Sequence, residues 1–372
     1  MHRRSSLAAR LLVAGVAVGL VLSGCASGSD TSRGNSVSTP AVQPGLDFVG
    51  PNGEIPGALS ELSLTEEETA KIKDGKFKAA FVWHTGSEFV SAVENGARAQ
   101  FKKLGIDVVA STQANFDPAM QANNLQTVLA LNPDIIVTTA VDPVSAAATF
   151  QPAVDAGVKL VIMTTPPANY TAGTQFVSIV TENLAEAGRA NAELLGNAVD
   201  GRGKIAYMYH DADFWFTNQR DEAFKAWTSF LFPDIDIVAE EGFTDESKTQ
   251  EIAAAVIARN PDITGIYVPW ATAAQGVLSA LRDAGRTDIK VTTNDLDATL
   301  AADMVSGGSV VGMVGNGATG IGAGLAIAGA YGVLDKKAPE LVASTPTAVT
   351  KGNLSEEWMK DYGTQPPASI TK

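Results

Sequence analysis

Cysteine is almost missing: Cys25 is the only one in 372 residues. No disulfide can form within the chain, so stability has to come from a buried core. Histidine is scarce as well, with His2, His84 and His210 the full set, and they lack the clustered spacing that metal ligation needs. No Gly-x-Ser-x-Gly elbow is present, which removes the usual setting for a hydrolytic nucleophile. Basic charge is in deficit too. Without the three arginines of residues 1–24, 24 basic groups face 41 acidic ones, a formal charge near −17. Nucleic acid is therefore excluded as a natural partner. What the chain has is a 45% hydrophobic composition over enough length to bury a sizeable core.

The beginning of the chain is distinctive. Arg3, Arg4 and Arg10 precede an apolar run from Leu11 to Leu22, too short for a mature membrane span and read as a signal peptide over residues 1–24. The run ends in Leu22-Ser23-Gly24-Cys25, where the lipobox of bacterial lipoproteins places the thiol that is diacylated. Two or three acyl tails at Cys25 would hold the protein on the outer face of the cytoplasmic membrane. Residues 25–60, rich in Ser, Gly, Pro, Thr and Asn, read as a flexible tether.

From about Leu62 the pattern changes. Short Val- and Ile-rich runs such as "AAFVW", "IDVVAS", "DIIVTTA" and "KLVIMTT" alternate with helical periodicity, the signature of parallel sheets covered on both faces. In the first helix Phe89, Val93, Ala97, Phe101 and Leu104 form one stripe, and Gly105 is the expected stop. Near "FVSIVTEN" the series restarts with "KIAYMY", "IDIVAE", "GIYVPW", "KVTTND" and "SVVGMV". Two similar α/β halves account for this better than one sheet of ten or more strands.

The strand ends carry the unusual residues: Trp83-His84, Thr138-Thr139 and Thr164-Thr165 in one half, Tyr209-His210-Asp211, Pro269-Trp270 and Asn294-Asp295 in the other. Ligands of open parallel sheets bind outside the carboxyl ends of the strands, so these positions are expected to line a site. Several have structural alternatives. Thr85-Gly86-Ser87-Glu88 fits a capping box, Asp295 or Asp297 would cap the following helix, and "FWFTNQR" reads as core aromatics before a helix start at Thr217. Three consecutive aromatics cannot all face one core, however, which leaves at least one for a cleft or the surface. The segment Gly315-x-Gly317-x-x-Gly320 matches a dinucleotide fingerprint in form, but it comes late in the chain and the next acid is only Asp335. Glycines that let the chain bend and pack closely explain it better.

Taken in order, "EFVSAVENGARAQFKKLGIDVV", "AVDPVSAAATFQPAVDAGVKLVIMTT", "NQRDEAFKAW", "GVLSALRDAGRTDIKVTTNDLD" and "VVGMVGNGATGIG" resemble the ribose-binding type of periplasmic binding protein (type I), the solute-binding subunits of ABC sugar importers. The resemblance runs from about residue 76 to 350. It implies two doubly wound parallel-sheet lobes joined by a three-crossing hinge near Ile179, Asn316 and Thr347. The lobes would comprise residues 61–179 with 317–346, and 180–316 with 347–372, closing over a ligand.

Residue by residue, the resemblance implies that Phe89 stacks on a sugar ring, that the Asp295 carboxylate accepts from two hydroxyls, and that Asn316 stands where a Gln makes the last contact. Thr139 and Trp270 fall at Asn positions, Thr165 and Pro166 replace an Asp-Arg pair, and Asn218 stands at an arginine position with Arg220 close by. Trp83, His84 and Trp215 complete the expected ligand-binding set. Lost charges and gained tryptophans point away from ribose, to a smaller polyol or a less polar neutral sugar. The physical requirements agree, since hydroxyls want neutral donors and acceptors with one or two carboxylates, and C–H faces want flat rings.

The expectation is a lipid-anchored, monomeric solute-binding protein that hands a neutral sugar or polyol to an ABC permease, without catalysis, cofactor or metal. A sensory receptor signalling to a membrane partner would have the same cleft.

Overall fold

The computed structural model describes residues 48–370, so the leader, Cys25 and most of the tether lie outside the described residues. Along the chain, β1 (Pro56–Ala58) and α1 (Glu66–Gly75) precede β2 (Lys78–Trp83), α2 (Glu88–Leu104), β3 (Asp107–Gln113), α3 (Pro118–Leu129), β4 (Ile135–Thr138), α4 (Pro143–Asp155), β5 (Lys159–Met163) and β6 (Ile179–Glu182). The alternation resumes with α5 (Leu184–Ala198), β7 (Arg202–His210), α6 (Trp215–Leu231), β8 (Asp234–Phe243), α7 (Thr249–Arg259), β9 (Ile263–Val268), α8 (Ala271–Asp283), β10 (Lys290–Asn294), α9 (Ala298–Val305) and β11 (Val310–Gly315). It closes with α10 (Ala318–Val333), β12 (Leu341–Ser344), β13 (Thr347–Val349) and α11 (Leu354–Tyr362).

The strands form two sheets. One runs β1-β12-β6-β5-β4-β2-β3 and the other β13-β11-β10-β9-β7-β8, so β3-β2-β4-β5-β6 and β8-β7-β9-β10-β11 repeat one order. All pairings are parallel except that of β13 on β11. In β2 successive side chains serve opposite faces: Ala79, Phe81 and Trp83 pack under α2 and α10, while Ala80 and Val82 join Leu125 and Phe150 from α3 and α4. Burial on both faces is what a parallel strand needs, and it explains the unbroken apolar runs.

Helix ends follow local chemistry. Ser87 accepts from the Val90 N–H to start α2, and Gly105 ends it at φ 71°. Glu88 is thus the first helical residue, and Ser87 takes the capping role. Asp117-Pro118 and Asp142-Pro143 begin α3 and α4 in the same way, each Asp capping and each Pro at the first turn.

Among the described residues the chain passes between the sheets three times: at Asn183, at Asn316-Gly317, and at residues 345–346. The first crossing comes later than the position near Ile179 that the resemblance implies, because Ile179–Glu182 is still hydrogen-bonded between β5 and β12. The crossings are tied side by side. The Asn183 N–H donates to Ser344 O at 3.0 Å, and the Ser344 hydroxyl to Asn316 O at 2.6 Å.

The glycine-rich segment serves packing. Gly317 takes φ 70° at the turn into α10, and Gly322 lies so close to α2 that a Cβ there would sit 1.9 Å from Val93 O. The helix start a dinucleotide phosphate would need is occupied, since one Asp361 carboxylate oxygen accepts from both Gly317 N–H and Ala318 N–H.

Candidate functional site

The carboxyl ends of both sheets face one cleft, about 780 Å³ of empty space with its open mouth included. The first lobe contributes the β2–α2 turn from His84 to Phe89, Phe116 after β3, and Thr164 after β5. Opposite stand His210 at the end of β7, Phe214, Phe216, Thr217 and Arg220 at the start of α6, Trp270 after β9, and Asp295 after β10. Of the residues singled out in the sequence, His84, Phe89, Arg220, Trp270 and Asp295 therefore come together on the cleft wall.

Asp295 holds the left-handed conformation at φ 69°, which Asp and Asn tolerate better than most residues. Its Oδ1 accepts from Asn316 Nδ2 at 2.9 Å, and among the described residues no donor meets the other oxygen. Burial raises its pKa, with Arg220 pulling the other way. Asn316 is not on the wall. It sits buried behind Asp295 with its Oδ1 unpartnered. Asp297 takes the capping role instead, accepting from Leu300 N–H at the start of α9.

Arg220 is 1% exposed and reaches across the crossings, donating to Glu182 at 3.3 Å and to Pro269 O at 3.0 Å while its Nε has no partner. Burial pushes the Glu182 carboxyl up to about 7 against the attraction of Arg220. The guanidinium also lies 4.3 Å from the centre of the Phe216 ring, four residues away on the same helix face.

The two histidines behave alike. Burial depresses both to about 4, so both are neutral. His84 Nδ1 is buried without a partner, whereas His210 Nδ1 bonds Thr217 Oγ1 at 2.9 Å. The Trp270 indole N–H is taken by Glu246 at 2.6 Å.

Other expected contacts lie elsewhere. Trp83 is turned into the core by strand alternation, stacked on Phe81 and donating to Glu94. The Thr139 hydroxyl donates to Met163 O at 2.6 Å and is closed inside the first lobe. Thr165 is buried with its hydroxyl unpartnered, one residue past the cleft-lining Thr164. Trp215 packs on Phe48, ring centres 6.0 Å apart. Asn218 faces a separate depression with Asp211 and Glu222, because two helical residues differ by about 200° from Arg220.

Sequence reasoning had not placed Phe116, Phe214, Phe216 or Glu246 here. The signal for two of them was the "FWF" run, in which Phe214 and Phe216 turn to the cleft and Trp215 away from it. Phe116 gave no local sign beyond a turn before Asp117-Pro118.

Across the cleft mouth, the Ala298 N–H at the start of α9 donates to Glu88 Oε2 at 3.4 Å. Burial and the neighbouring Asp297 raise the Glu88 pKa. The lobes are thus close enough to touch.

Comparison with known proteins agrees with this architecture. Residues 79–338 match the family model described as a periplasmic binding protein domain. Among solved structures, an ABC transporter solute-binding protein from Agrobacterium vitis, bound with α-D-tagatopyranose, superposes with a TM-score of 0.69 at 22% identity over 76% of this chain and 97% of its own. One from Mycobacterium smegmatis with bound glycerol gives 0.68 at 24% identity, over 76% and 96%. A carbohydrate transporter solute-binding protein from Agrobacterium radiobacter, in complex with D-arabinose, gives 0.68 at 21%, over 77% and 98%. At these identities the likeness speaks for the fold.

Proposed function

The chain belongs to the periplasmic binding protein domain family, and from that premise we propose that it is an extracytoplasmic solute-binding protein that captures a neutral sugar or polyol for an ABC permease. The observation that carries this reading is the cleft itself, where an open carboxylate oxygen on Asp295 sits among aromatic rings contributed by both lobes. A carboxylate accepts hydroxyl hydrogens in charge-assisted bonds, while rings cover the C–H faces of a sugar.

Capture and release follow from the hinge. Closure removes water, so every hydroxyl left without a partner weakens binding by ~1 to 3 kcal/mol, and this separates one sugar from another. Delivery needs open and closed states of similar energy. Three short crossings and a mouth contact as slight as Glu88 to Ala298 N–H suit that demand. The chemistry proposed is binding alone, by a monomer held to the membrane through acylated Cys25.

A thermal-shift screen of sugars, polyols, amino acids and organic anions, followed by small-angle scattering on the best hit, tests the proposal. A carbohydrate hit that lowers the radius of gyration supports it. An amino acid or organic anion as the best ligand would refute it. Mass spectrometry of the protein from its native membrane should find Cys25 blocked and acylated, and an unmodified terminus further along would refute the anchor.

A further inference from the structure

Around Asp295 lie its open oxygen, the orphaned Oδ1 of Asn316 behind it, and the orphaned Nε of Arg220. From the first lobe to the second runs a train of rings. Phe116 meets His84 edge-on at 5.3 Å between centres, His84 meets Phe214 at 6.4 Å, Phe214 meets His210 at 5.8 Å, and His210 meets Trp270 at 5.2 Å.

Two polar handles of that train are already committed. Trp270 gives its N–H to Glu246, and His210 pairs with Thr217. His84 Nδ1 is buried without a partner among the described residues. A sugar ring has two C–H faces, which two stacked aromatics satisfy. With Phe89, Phe116, Phe214 and Trp270 all on the wall, the aromatic surface exceeds what a fully hydroxylated monosaccharide can use. Covering those rings with hydroxyls would strip water from the hydroxyls without giving them partners.

Resting on the sugar-binding reading above, we infer that the ligand is an amphiphilic carbohydrate. Its hydroxyls engage Asp295 and the buried, unpartnered Arg220 Nε, and an apolar substituent, such as a deoxy methyl, an alkylthio or an aryl group, lies along Phe116, Phe214 and Trp270. The orphaned His84 Nδ1 suits the oxygen or sulfur that links such a group to the sugar.

Calorimetry on the purified full chain with matched probes tests this: D-ribose against 5-methylthio-D-ribose, D-galactose against its 6-deoxy form, and D-xylose against phenyl β-D-xyloside. The substituted member of at least one pair should bind about tenfold tighter or better, the gain expected for burying about two methylenes. Phe116→Ala, at an exposed position where truncation spares the core, should shrink that ratio at least threefold. Parent sugars binding as tightly as their derivatives in every pair would overturn the inference and leave sugar binding intact, and so would a ratio unchanged in Phe116→Ala. If none of these six probes binds, this inference falls, while the broader screen of sugars and polyols decides the functional reading separately.

Discussion

Replacing Asp295 with asparagine separates binding from folding more cleanly than any other change in the cleft. The amide is nearly isosteric, and asparagine accepts the φ of 69° as readily as aspartate does. Its oxygen can keep the 2.9 Å bond from Asn316 Nδ2, which turns an NH2 toward the ligand where an acceptor stood. A hydroxyl bound to a carboxylate is worth ~1.5 to 3 kcal/mol, so losing one bond weakens affinity by about 10- to 150-fold.

Stability should move the other way. Burial raises the Asp295 pKa above that of the unfolded chain. A raised carboxyl contributes stability that is present in acid and lost as pH climbs through its folded pKa. At pH 7 the ionised group is therefore a burden, which the neutral amide lifts. Calorimetry with the best carbohydrate hit and thermal unfolding at pH 7 read the two effects. The expected result is at least tenfold weaker binding with Tm unchanged or raised. Parental affinity, or a Tm lower by more than about 5 °C, would refute the reasoning and make the carboxylate structural.

Arg220→Met should destabilise the protein by ~3 to 5 kcal/mol in urea denaturation, because Glu182 is left buried alone; adding Glu182→Leu should restore most of the loss, and no recovery would contradict an unpaired-charge origin. Gly322→Ala should lower stability by ~1 to 3 kcal/mol, since its Cβ meets Val93 O at 1.9 Å, whereas Gly320→Ala on the same helix, with no atom nearer than 4.0 Å, should be neutral or stabilising. Thermal unfolding of the two glycine variants with the same sign would count against close α2–α10 packing. His84, depressed by burial to about 4, contributes stability that is lost as pH falls from about 6.5 through 4. In His84→Gln that loss between pH 7 and pH 4 should shrink by up to about 3 kcal/mol, and an identical pH profile would show that the imidazole titrates normally.

Local sequence determined a good deal. Unbroken apolar runs marked parallel strands, Ser87 and Gly105 bounded the first helix, and the odd residues at strand ends pointed to one face, because strand period, capping and turn chemistry act within a few residues. The repeated strand order follows from that series of βα units. What the sequence left undecided is which of two neighbours faces the cleft. His84 lines it and Trp83 does not, Phe214 and Phe216 do and Trp215 does not, Arg220 does and Asn218 does not. Alternation makes such neighbours diverge, but the direction depends on where distant helices pack: α2 and α10 claim Trp83, and Phe48 claims Trp215. The contacts that shape the pocket floor lie equally far apart in sequence, with Arg220 meeting Glu182 across a crossing, Asn316 meeting Asp295, and Asp361 closing the start of α10. Those pairings carry no local propensity and arise only when two sheets are held carboxyl end to carboxyl end by the crossings of the chain.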